Sequence, residues 1–205
     1  MITLQILPSL GCSLEMLDLL CGIFDNVVSR DDEQFLSPEH RARLRTLEQR
    51  LCTMTQRESI ITDEESETNN EGRPSHAALV AESYRLAALI YLERVARNAS
   101  HNVTKVTVLA ENAFALLSRL ESLERPWPLF VIALEAMDEE KRRLVLDVLD
   151  QGSEYRGKVG NMATLRMMVQ AAWAQLDLAI GEERLNMLEV YNAVISANCI
   201  PPSFT

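Results

Sequence analysis

Glycine and proline are scarce in this chain, seven of each in 205 residues. That excludes a loop-rich all-β domain and a low-complexity chain. Cysteine is scarcer still: Cys12, Cys21, Cys52 and Cys199, with no C-x-x-C spacing. A paired metal knuckle and a thioredoxin-type redox pair are thereby excluded. The four cysteines read as reduced, mostly buried thiols of an intracellular protein. Basic residues are outnumbered, 20 Lys and Arg against 30 Asp and Glu, for a formal charge of -10. Affinity for nucleic acid comes mostly from neutralising phosphates, so a polyanion-binding surface built on net charge is disfavoured. The chain has no G-x-S-x-G, no Gly-rich phosphate loop and no H-E-x-x-H, so no catalytic residue, metal ligand or cofactor can be assigned from a motif. The three histidines, His40, His76 and His101, stand near predicted helix starts or caps, where surface positions are expected. The apolar N-terminus lacks a basic leading region and is interrupted by Glu15 and Asp18, so it reads as neither a signal peptide nor a membrane span.

What the chain does have is helical periodicity. Leu14, Leu17, Leu20, Cys21, Phe24 and Val27 predict a helix over 13–28 with Ser13 as its cap. Ser37-Pro38-Glu39 opens a second helix running to 57, with a narrow seam of Leu44, Leu47, Leu51 and Met54. A third, over 75–98, starts at Ser75 and is apolar around most of its circumference, so it is expected at the centre. A fourth spans about 103–123 with Asn102 as cap, and a fifth spans Leu129 to Met137, opened by Pro128. Asp138 caps a sixth to about Leu149, with Gly152 at its exit; Asn161 caps a seventh to about Ile180; after Gly181 a last one reaches Ala197. No strand stands out by period two. The expected fold is all-α, a compact bundle of about eight helices forming a single domain over 1–205.

Two charged stretches carry competing readings. Residues 58–74 hold Asp63, Glu64, Glu65, Glu67 and Glu71 with no basic residue before Arg73. They read as a disordered acidic loop, solvated rather than an activation segment. The second helix carries Arg41, Arg43, Arg45, Arg50 and Arg57. A nucleic-acid helix is one reading; a charged face pairing with the acidic remainder of the chain is the plainer one, since no aromatic interleaves the arginines.

The run Trp127-Pro128-Leu129-Phe130-Val131-Ile132-Ala133-Leu134-Glu135-Ala136 resembles a signature of the fungal-specific transcription factor domain. That domain is the helical regulatory region that follows zinc binuclear cluster DNA-binding modules. Gly11-Cys12-Ser13, Ala87-Ala88-Leu89-Ile90-Tyr91-Leu92, and Gly160-Asn161 with Trp173 and Asp177 resemble further family stretches, in the family's order. Where members often have Gly-Cys, this chain has Ala133-Leu134. The six-cysteine DNA-binding module has no counterpart among the four cysteines, so no direct DNA contact is expected from this chain.

The resemblance implies a regulatory, effector-sensing or protein-interaction domain of a nuclear transcription regulator, acting by conformational change. Its implied partners are a small hydrophobic effector, a second copy of the chain or a transcriptional co-regulator, with no membrane. The chain would be part of a longer regulator or a stand-alone relative. The alternatives are a stand-alone scaffold or dimerisation protein, for which the cytoplasm is the alternative location, and an enzyme of fungal secondary metabolism without a recognisable motif. Trp127 and Phe130, three apart, can face one core, and core packing is the plainer role for both tryptophans. The sharper expectation is a ligand pocket between helices 129–137 and 161–180 made by Trp127, Phe130, Leu134, Thr164, Trp173 and Gln175, with Thr164 and Gln175 as its orienting polar groups.

Overall fold

A computed structural model describes residues 3–57, 74–100, 103–120, 122–154, 159–178 and 186–197. Among them lie eight α-helices: α1 (Leu14–Phe24), α2 (Pro38–Thr53), α3 (His76–Tyr91), α4 (Thr104–Leu117), α5 (Pro126–Ala133), α6 (Glu139–Glu154), α7 (Val159–Leu178) and α8 (Met187–Ala197). Two short strands, β1 (Thr3–Gln5) and β2 (Thr55–Arg57), a 3-10 turn over Glu33–Leu36 and a π turn over Leu92–Ala96 complete the order. The all-α expectation holds. The acidic stretch 58–73 lies outside the described residues. No helix among the described residues is long and apolar enough to cross a membrane.

The helix with the widest apolar face takes the central place. α3 packs against α4 and α5 and also touches α1 and α2. Val80, Tyr84, Leu86, Ala87, Leu89 and Ile90 on it are buried. α6 and α7 form a second packed pair, and α7 carries α8. The caps follow the chemistry of the sequence. Ser13, Ser37 and Ser75 accept from the backbone N–H groups of Met16, His40 and Ala78, and Asp138 accepts from that of Lys141 at 2.8 Å. Each satisfies one of the donors a helix start leaves open.

Several boundaries differ from the expectation. α2 stops at Thr53, and residues 55–57 pair in parallel with 3–5, Thr3 opposite Thr55 and Leu4 opposite Gln56. Three residues are too few to show a period of two, so both strands escape sequence pattern. α5 starts at Pro126 and ends at Ala133. Both prolines fit the first turn, because the amide hydrogens they lack would have no intrahelical partner there. Beyond Ala133 the chain tightens: Glu135 N–H donates to the Ile132 carbonyl and Ala136 N–H to that of Ala133. α6 runs past Gly152, which packs 3.5 Å (from an added Cβ) off Met162 Cε instead of marking an exit. α4 begins after Val103 without a side-chain cap, and Asn102 lies outside the described residues. Asn161 sits inside the first turn of α7. The predicted helix 75–98 is α only to Tyr91.

The loop before α1 is held by a left-handed glycine. Gly11 has φ +75, and a Cβ there would lie 2.9 Å from Arg125 Nε and 3.0 Å from Val80 Cγ1. Arg125 also donates to the Pro8 carbonyl at 3.1 Å. Gln56 finishes the clasp, accepting from Ser13 N–H at 2.8 Å and donating to the Ala81 carbonyl at 2.9 Å. Gly11→Ala should therefore destabilise the domain by about 1–3 kcal/mol, seen as a lower urea midpoint. An unchanged midpoint would mean that the loop reshapes without cost.

Of the described cysteines only Cys12 is buried; Cys21 and Cys52 are exposed, contrary to the expectation of mostly buried thiols. α1 buries Met16, Leu19, Leu20 and Ile23 and α2 buries His40, Leu44 and Leu51, which leaves Cys21 and Cys52 outside the buried faces. Burial pushes the Cys12 thiol up to about 11, against the opposing charge of Arg125. At pH 8 only about one Cys12 in a thousand is then thiolate. Iodoacetamide on the native protein should label Cys21 and Cys52 and spare Cys12; peptide-resolved mass spectrometry showing equal rates would refute this.

Candidate regulatory site

The Trp127–Ala136 run forms a buried strap. Every residue from Pro126 to Ala136 is buried. Trp127 stacks on Tyr84 with ring centroids 6.1 Å apart and meets Phe24 edge-on at 5.9 Å. Phe130 meets Tyr191 of α8 at 5.4 Å, and Tyr191 meets Tyr91 at 5.2 Å. Aromatic residues make up only 5% of the chain, yet six of them gather in this one chain of contacts, tying α1, α3, α5 and α8 together.

The strap's far end is held by polar groups. Trp173 Nε1–H donates to the Ala133 carbonyl at 2.8 Å, a second donor beside the Ala136 N–H at 3.1 Å. Arg142 donates to the Ala136 carbonyl at 3.1 Å, grips both oxygens of Asp177, and lies over the Trp173 ring at 5.2 Å. Arg142 holds the Asp177 carboxyl below its ordinary range through those hydrogen bonds.

Glu135 carries a charge into the core, where it meets Arg94. Arg94 Nε donates to Glu135 Oε1 at 2.8 Å and Nη2 to Oε2 at 2.6 Å, and both side chains are under 5% exposed. The pair is planar and bidentate, the strongest form of this interaction. Arg94 Nη1 also donates to the Ala99 carbonyl at 3.2 Å. The π turn makes this possible. Its wider turn buries all five residues from Leu92 to Ala96, including Glu93 and Arg94, and such turns recur at functional positions. Beside the pair Tyr191 is buried, and that burial holds its hydroxyl pKa well above the ordinary tyrosine range, with nearby Tyr91 and Glu135 adding and Arg94 opposing.

The expected site residues fall as follows. Trp127, Phe130, Leu134 and Trp173 are buried. Thr164 and Gln175 are half-buried. The two tryptophans face different neighbours: Trp127 turns to α1 and α3, Trp173 to the end of α5. Thr164 and Gln175, eleven residues apart on one helix, are separated by about 16 Å along its axis. The cavities described below have other walls.

One cavity of about 460 Å³ lies between the 3-10 turn, α2, the π turn and the start of α4. Phe35, Leu36, Leu44 and Ala96 give it an apolar side; His40, Arg41, Arg45, Arg97 and Lys105 give it a basic one, with Glu48 among them. Glu48 and the buried Glu93 each accept from both Arg97 and Lys105. Burial pushes Glu48 up, but the hydrogen bonds from Arg97 and Lys105 outweigh it and hold the carboxyl below its ordinary value. His40 is buried, 5% exposed, and its Nε2 has no hydrogen-bond partner. This corrects the surface position expected for it, and such an orphaned polar atom costs about 1–3 kcal/mol. The plainer reading of the basic helix also needs revision: among the described residues Arg50 pairs with Glu15, while Arg41, Arg43 and Arg45 take no acidic partner. A second cavity, about 670 Å³, opens beside the Gly11 loop between Pro8, Val80, Glu124 and Arg125. No cluster of His, Cys, Asp and Glu among the described residues could hold a metal ion.

The sequence reading passed over Arg94. It sits in a helix whose other charges fall within one arc, and a charge on the apolar side requires a buried partner. That was the available signal, and Glu135 was its answer.

Among the described residues, then, a helical bundle holds the Trp127–Ala136 strap by packing and a buried ion pair. Residues 2–192 match the fungal specific transcription factor domain, and the chain belongs to that family, whose role is in transcriptional regulation. Among curated proteins, a transcription factor of Pestalotiopsis fici, iacI, is 30% identical over 126 residues. That match covers 62% of this chain and 32% of the relative, so the chain corresponds to less than half of that protein's length. No solved structure matches the chain.

Proposed function

We propose that this chain is the effector-sensing or protein-interaction part of a fungal transcription regulator, nuclear in location, and that it works by conformational change and not by catalysis. The observation that carries the reading is the buried Arg94–Glu135 pair, which joins the family's signature strap to the π turn. A bidentate pair in an apolar core tolerates no intermediate register: it is either made or leaves two charges buried and alone. It is therefore suited to separate two packings of the strap, and a bound effector or partner that prefers one shifts the population toward it. DNA contact belongs to another part of such a regulator.

The test is a fusion of the chain to a heterologous DNA-binding domain in a fungal host. The fusion should raise or lower a reporter relative to the DNA-binding domain alone, at equal abundance. Equal output from the two would remove the regulatory reading and favour a scaffold.

A further inference from the structure

We infer that the cavity between the 3-10 turn, α2 and the π turn is a binding site for a small organic acid, a carboxylate joined to an apolar body. The inference deepens the effector-sensing reading, on which its consequence for transcription rests; binding itself stands or falls separately.

Three local features disfavour the observed arrangement unless an anion completes it. Arg41 and Arg45 stand four apart on α2, so their guanidinium groups are neighbours on one face and repel. Neither has an acidic partner among the described residues. Arg41 also lies in the first turn of α2, the positive end of the helix dipole, where a cation is out of place and an anion is favoured. Next to Arg41 in the chain, the buried His40 also lines this cavity, and its Nε2 has no hydrogen-bond partner. Local rules broken together at one place mark a functional site more often than an accident.

The charge balance points the same way. Arg97 and Lys105 are already satisfied by Glu48 and Glu93. Arg41 and Arg45 are the surplus, in a protein whose formal charge is -10. A local positive surplus inside a concave, partly apolar wall focuses the field on an incoming anion. A carboxylate is the planar anion that two guanidiniums grip well. Phe35, Leu36 and Leu44 line the same cavity and take an apolar body. The volume of about 460 Å³ suits a small molecule.

The test is isothermal titration calorimetry on the whole chain with two probes, 2-naphthoate for a flat body and decanoate for a flexible one, and 2-naphthamide as the uncharged counterpart. At least one acid should bind saturably, one per chain. The amide should bind about tenfold weaker or worse than 2-naphthoate. Arg41→Gln with Arg45→Gln, both exposed and unpaired, should keep the melting temperature and lose about tenfold in affinity. Failure of both acids to bind with a Kd below about 1 mM, or undiminished binding by the double variant, overturns the site. The unmodified protein and the amide decide the matter if a variant unfolds. The two readings also separate. Binding with a reporter output unchanged in the double variant keeps the site and removes effector sensing; no binding with a regulated reporter does the reverse.

Discussion

Glu135→Leu alone should destabilise the domain by about 3–5 kcal/mol. The reason is what it leaves behind. Arg94 is buried, and its guanidinium would keep only the Ala99 carbonyl as a partner. An unpaired charge in an apolar core is among the few defects that remove a large share of a domain's total stability. Arg94→Met together with Glu135→Leu should recover most of the loss, because two apolar side chains of similar volume need no desolvation to be offset. The double-mutant cycle then yields a coupling energy of about 3 kcal/mol, the upper end for contacting residues. Urea unfolding of the four proteins measures it. Additive effects of the two single changes would show that the pair is not coupled and that the strap is held by packing alone.

Trp127→Ala should cost a similar amount, about 3–5 kcal/mol, for a different reason. The indole packs against Tyr84, Phe24 and Tyr91 at once. Its loss opens a cavity that residues from three helices would have to fill, and close-packed cores relax only partly. Trp173→Phe, by contrast, keeps most of the volume and removes one of two donors to the Ala133 carbonyl, which retains Ala136 N–H, and should cost about 1 kcal/mol. Thermal unfolding distinguishes the two. Should Trp127→Ala unfold within about 1 kcal/mol of the native protein, Trp127 would line an open pocket and not a packed core.

Much of this architecture was legible in advance, and the reasons are local. Ser13, Ser37, Ser75 and Asp138 announce helix starts by chemistry that needs no tertiary context. The broad apolar face of residues 75–91 announces a central helix. What escaped was non-local. The pairing of Thr3–Gln5 with Thr55–Arg57 depends on two three-residue segments that carry no pattern. The π turn at Leu92–Ala96 looks like more α-helix until the demand of Arg94 for Glu135 is known. The basic stripe of α2 was visible as charge, but that Arg41 and Arg45 share a cavity with Phe35 and Leu36 depends on how the 3-10 turn folds back. Four of the six residues expected to form a pocket, Trp127, Phe130, Leu134 and Trp173, are buried; apolar character is legible in sequence, while the enclosure of a common space depends on packing, which is not.

The central claim is that the strap's ion pair sets the regulatory state of the domain, and the Arg94→Met, Glu135→Leu double variant tests it most directly. Fused to the heterologous DNA-binding domain, it should fold, accumulate to the level of the native fusion, and hold the reporter at an output different from that of the native fusion. A reporter output indistinguishable from that of the native fusion, at equal abundance, would contradict the account and leave the pair a purely structural fastening.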